Sequence, residues 1–61
     1  MLLSNAEAAA IISELGLKRQ SVAMKCNIHP VIFSAWLNSR RNLTQKQIVR
    51  VTDYLRRMQT A

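Results

Sequence analysis

Apolar residues return every three or four positions along most of the chain and nowhere alternate strictly with polar ones, which is the period of helices rather than strands. The first run follows Ser4, where Ala8, Ile11, Ile12 and Leu15 share one face. Ser4 and Glu7 form a capping box, each side chain satisfying a backbone N–H at the start of the helix. Gly16 then stands where a left-handed C-terminal cap belongs. A second run, from about Lys18 to Cys26, buries Val22, Ala23 and Cys26. The third starts at Pro30, a residue suited to the first helical position because the N–H it lacks would be unpaired there anyway. It buries Ile32 or Phe33 together with Trp36, and ends near Asn38–Ser39. The fourth opens in "LTQKQI", where Thr44 and Gln47 make a second capping box and Leu43 can staple onto Ile48. Ile48, Val51, Leu55 and Met58 form its stripe, with Arg56 and Arg57 in the last turns. The pattern predicts an all-α, compact domain of four helices, five at most, over residues 1–61.

The short break between the second and third runs is the most informative place in this pattern. Two short helices joined by about three residues make a helix-turn-helix, whose helices cross steeply. Such a crossing needs a small residue on the first helix, a residue that tolerates positive φ in the turn, and apolar groups on either side. Ala23 is the small residue, Cys26 and Ile28 are the flanking groups, and Asn27 is the best non-glycine choice for left-handed geometry. Phe33 and Trp36 face inward from the helix beyond, and Pro30 separates the two.

Charge adds a second signal. Nine Lys and Arg face three acids among 61 residues, a formal charge of +6, and the stretch from Leu15 to Thr52 holds Lys18, Arg19, Lys25, Arg40, Arg41, Lys46 and Arg50 with no acid at all. Ordinary surfaces intersperse both signs; a one-sign stretch suggests a polyanionic partner, nucleic acid ahead of an anionic membrane. One Cys and one His give neither a disulfide nor a metal cage, and the lack of a Cys pattern fits a reducing cytoplasm. The opening "MLLSNAEAAAII" has no basic n-region and carries Glu7 ahead of its apolar run, unlike a signal peptide. No apolar run approaches the ~20 residues of a membrane span. Ser21, His29 and Asp53 have no spacing that suggests a triad, and Cys26 has no specific neighbour to activate it. No enzyme, cofactor, metal or small-molecule ligand is expected.

The segment "RQSVAMKCNIHPVIFSAWLNSRR" resembles the helix-turn-helix of the Cro/repressor (XRE-like) family of phage, plasmid and bacterial transcription regulators. Val22, Ala23, Cys26, Ile28, Phe33 and Trp36 match the apolar or small positions of that family in register. The flanking "ELGLKRQ" and "LNSRRNLT…IVRVTDYL" extend the likeness from about Ala8 to Leu55. The chain departs from the pattern where Asn27 replaces the usual Gly and Lys18 the usual Ser or Thr cap. It departs again at the outward residues opening the third helix, which are usually polar, and it leaves little room for the family's fifth helix.

The resemblance implies a lambda-repressor-like fold and a sequence-specific regulator of the cytoplasm or nucleoid, most simply a repressor that occludes a promoter. It places His29, Pro30, Val31, Ser34, Ala35 and Asn38 toward bases in the major groove of double-stranded DNA. It places Lys18, Arg19, Gln20, Arg40, Arg41 and Asn42 toward phosphates. The plainer reading makes Lys18 a partner of Glu14 and makes Arg40 and Arg41 solubilising loop charges. Of the base-facing set, His29, Ser34 and Asn38 can hydrogen-bond, whereas Val31 and Ala35 offer apolar contact, which suits thymine methyls. Phosphate contacts and DNA shape then supply the remainder of the recognition. One module covers little DNA, so a two-fold dimer on half-sites about one helical turn (~34 Å) apart is expected. Apolar surface for it is available at Met1, Leu2, Leu3, Ala6, Ala9, Ala10, Val49, Tyr54 and Met58. Two other readings remain open: an antirepressor or adaptor that contacts protein through "PVIFSA", and RNA binding, which the scarce aromatics do not encourage.

Overall fold

The computed structural model describes residues 2–60. Four helices follow one another: α1 (Asn5–Glu14), α2 (Arg19–Lys25), α3 (Pro30–Leu37) and α4 (Gln45–Thr60). No strand occurs among the described residues. α2 packs on α3, and α1 packs against both α3 and α4. The chain is therefore an all-α domain of four helices, with the pair α2–α3 joined by a tight corner at its centre.

Both capping boxes form. The Ser4 hydroxyl accepts from the Glu7 N–H at 3.2 Å while the Glu7 carboxylate accepts from the Ser4 N–H at 3.2 Å. Gln47 Oε1 accepts from the Thr44 N–H at 3.0 Å, and Thr44 Oγ1 from the Gln47 N–H at 3.3 Å. The helix ends share a device that is less evident in the residues. Each of α1, α2 and α3 closes with a left-handed residue: Gly16 at φ 67°, Asn27 at 60° and Ser39 at 62°. In each the next N–H folds back five residues, Leu17 to the Ile12 carbonyl, Ile28 to Ala23 and Arg40 to Ala35, at 2.8–2.9 Å. These are three successive Schellman corners, which satisfy carbonyls that a helix end leaves unpaired.

The core gathers Leu3, Ala8, Ile11, Ile12, Val22, Ala23, Cys26, Ile28, Phe33, Trp36, Leu37, Leu43, Val51 and Leu55. Phe33 and Trp36 lie with ring centroids 5.8 Å apart and planes tilted by 38°. Of the two alternatives on α3, Phe33 is the fully buried one and Ile32 packs half-buried beside the core. Ala23 has no exposed surface, as the close α2–α3 crossing requires.

Three expectations about packing need correction. Leu15 is 39% exposed instead of completing the α1 stripe. It is the residue at which α1 stops, and the corner at Gly16 turns Leu17 inward in its place. Met58 is also exposed; it lies in the last turn of the 16-residue α4, beyond Leu55, the last buried residue of that helix. Leu3 is core rather than spare surface: it is buried, and its N–H donates to Thr52 Oγ1 at 3.0 Å. It stands just before the Ser4 cap, with buried Ala8 at the fourth helical position, the arrangement of a hydrophobic staple.

Candidate nucleic-acid interface

α3 is tethered from both ends. At its start the His29 backbone is extended, Pro30 fills the first helical position, and His29 Nδ1 accepts from the Val31 N–H at 3.2 Å. At its end the Asn5 amide, on α1, donates to the Trp36 carbonyl at 3.2 Å and to Ser39 Oγ at 2.6 Å. Inward, Phe33, Trp36 and Leu37 anchor the helix. What remains outward is Pro30, Val31, Ser34 and Ala35, a face without one charge.

That face lines an open groove of about 490 Å³ together with Arg19 and Gln20 from α2 and with Asn38 and Arg40 beyond α3. All eight belong to the twelve residues the sequence places toward DNA. Val31 is 71% exposed, the most exposed large aliphatic side chain among the described residues. Ser34 and Ala35 are half-buried.

Arg40 owes its position to the third corner. The residue that follows the left-handed position is apolar in the other two corners, and it packs inward: Ile28 is buried and Leu17 half-buried. At the equivalent place after α3 the chain puts an exposed arginine. A hydrophobic contact frequently accompanies a Schellman corner, so a cation there gives up packing and projects charge at the groove rim. Ser39 was not among the residues singled out from the sequence, because serine carries no strong preference for the left-handed region and its tie to Asn5 spans 34 positions.

The other four residues of that set do not line this groove. Lys18 precedes α2, is exposed and makes no side-chain capping bond. His29 lines a separate hollow with Met24, Asn27 and Ile28. Arg41 and Asn42 are exposed in the segment leading to α4. Of the remaining cations, Lys25, Arg50 and Arg57 border a cleft with Cys26, Asn27, Asp53 and Tyr54, and Lys46 shares a shallow hollow with Gln45, Val49 and Arg50.

The groups capable of covalent or metal chemistry are dispersed. Cys26 is a buried free thiol whose Sγ donates a long 3.9 Å hydrogen bond to the Arg50 carbonyl. Burial pushes this thiol up from its ordinary value, against the opposing charge of Arg50, which is the reverse of what activates a nucleophile. Among the described residues no three His, Cys, Asp or Glu side chains gather to hold a metal ion, and no helix is long and apolar enough to cross a membrane.

No protein-family model, curated protein or solved structure matches this chain.

Proposed function

We propose that the protein is a sequence-specific double-stranded DNA-binding transcription regulator of the Cro/repressor type, with α3 as the helix that enters the major groove. The observation that carries this reading is the single groove shared by Arg19, Gln20, Pro30, Val31, Ser34, Ala35, Asn38 and Arg40. A B-DNA major groove is about 12 Å wide and admits one helix. With α3 seated in it, Arg19 and Arg40 meet the phosphate backbone, a division of labour in which backbone contacts position the protein and base contacts specify the site. Arg41, Asn42 and Lys18 extend the phosphate contacts once DNA is in place, and His29 caps the reading helix. Binding occludes a promoter, and a two-fold dimer supplies the second half-site.

Surface for a dimer contact includes Leu2, Ala6, Ala10, Val49 and Met58, all exposed, with Ala9 and Tyr54 half-buried beside them. Met1 lies outside the described residues. Selection from a random duplex pool, followed by anisotropy titrations at two salt concentrations, tests the proposal. The regulator reading expects one selected sequence to bind at least ~10³-fold better than bulk duplex, with a steep salt dependence. A second reading, a protein-interaction module, draws on the exposed Val31 in the uncharged outer face of α3. Absence of binding to any duplex would favour that module and remove the regulator.

A further inference from the structure

The cleft beside α4 differs in composition from the groove on α3. Arg50, Asp53, Tyr54 and Arg57 recur at spacings of three and four along α4, so they share one stripe of that helix. Lys25 and Asn27, from the end of α2, join them around an opening of about 310 Å³. The three cations are exposed and meet a single carboxylate there, so the cleft holds uncompensated positive charge. Its frame is fixed by the fold. Tyr54 packs on the core, and the Ile28 N–H closes the corner after α2 by donating to the Ala23 carbonyl. The cleft shares no residue with the α3 groove. On α2 itself Gln20 lines the groove and Lys25 the cleft; five residues are about 140° round a helix, which sets the two on different flanks.

Such charge attracts a polyanion, and the one acid narrows the choice. An aspartate carboxylate is an acceptor only. A phosphate backbone also offers acceptors, so DNA laid in the cleft would set Asp53 against like charge. A peptide brings both kinds of group, carboxylates for the cations and main-chain N–H for Asp53. Arg50 and Arg57 stand two turns, about 10.5 Å, apart along α4, a distance that about three residues of extended chain cover. We propose that the cleft between the end of α2 and α4 docks an acidic segment of another protein, with its carboxylates on Lys25, Arg50 and Arg57 and a main-chain N–H on Asp53. A second copy of this chain does not supply that segment, since its acids, Glu7, Glu14 and Asp53, are scattered. The proposal goes beyond the DNA-binding reading and does not depend on it.

A capped peptide alternating Asp and Ala is the probe, with its Asn–Ala counterpart as control. Each is titrated into isotope-labelled protein by NMR, and affinities are measured for wild type, Arg50→Ala/Arg57→Ala and Arg19→Ala/Arg40→Ala, with folds checked by circular dichroism. Salt at ~0.1 M gives a Debye length of ~10 Å, which screens distant cations. Amide shifts from the Asp–Ala peptide should cluster at Lys25, Asn27, Arg50, Asp53 and Tyr54, and the Asn–Ala peptide should cause none. Loss of two exposed charge pairs should weaken the Asp–Ala peptide about fivefold in Arg50→Ala/Arg57→Ala. The groove variant should change it less than about 1.5-fold. Equal losses in the two variants, or shifts spread over the α3 face, would reduce the effect to the general attraction of a +6 chain and overturn the proposal. Absence of shifts at ~1 mM Asp–Ala peptide would overturn it too, a weaker contact being no docking site. A duplex that loses more affinity than the peptide in Arg50→Ala/Arg57→Ala would assign the cleft to nucleic acid instead. Each of these results leaves the duplex selection to be judged separately, and failure of that selection leaves this proposal standing.

Discussion

Single positions carry much of this structure, and the corner residues show how differently they can be read. Gly16 and Asn27 belong to the small set that enters the left-handed region readily, so both are legible as turns from identity alone. Ser39 does the same with φ 62° and no such signal; a contact with Asn5 far away in the chain holds it there. Asn27→Gly should leave stability within about 0.5 kcal/mol, while Asn27→Ala should cost about 1 kcal/mol, both measurable by urea denaturation. Cys26 makes a second prediction at this scale. Its thiol is raised by burial, so the folded state favours the protonated form. The resulting stability is fully present below the ordinary thiol pKa of about 8.5 and is lost as pH rises through the higher folded value. Thermal melts should show an alkaline decline that Cys26→Ala reduces. A thiol reagent at pH 8 should label the native chain at least ~10²-fold more slowly than the unfolded one.

At the scale of the elements, the starts of helices were legible and their ends less so. Ser4–Glu7 and Thr44–Gln47 are local patterns, four residues long, and the structure contains both. The exchange of Leu15 for Leu17 was not legible, because a periodic stripe says nothing of how the chain turns after the helix stops. The burial of Leu3 left a clue in the staple with Ala8, but its other partner, Thr52, lies 49 positions away. That contact yields a test: Thr52→Val keeps the volume and strands a buried N–H, for which denaturation should report a loss of about 1–3 kcal/mol. For the candidate site, the groove residues on and beside α3 could be foreseen because helical spacing fixes which side chains share a face. The capping bond of His29 to the Val31 N–H could not, since a histidine that caps its own helix looks in sequence like one free to reach outward.

The molecule as a whole spans 29 × 22 × 19 Å, less than the ~34 Å between half-sites one helical turn apart. On the proposed reading one copy would reach a single half-site, and the proposed dimer would supply the reach that a single chain lacks. Equilibrium sedimentation at tens of micromolar should report a dimer mass; a monomer at that concentration removes the dimer. In duplex binding, Arg40→Ala should weaken every sequence alike and lower the salt slope by about one, as loss of one phosphate contact requires. The corner that carries Arg40 has a further consequence. The hydrogen bond from its N–H to the Ala35 carbonyl and the clasp of Asn5 on Ser39 immobilise its main chain before any ligand arrives. If the proposed docking occurs, mainly the arginine's rotamers would be left to freeze, the entropic toll of ordering the main chain at this point of the surface having been met during folding.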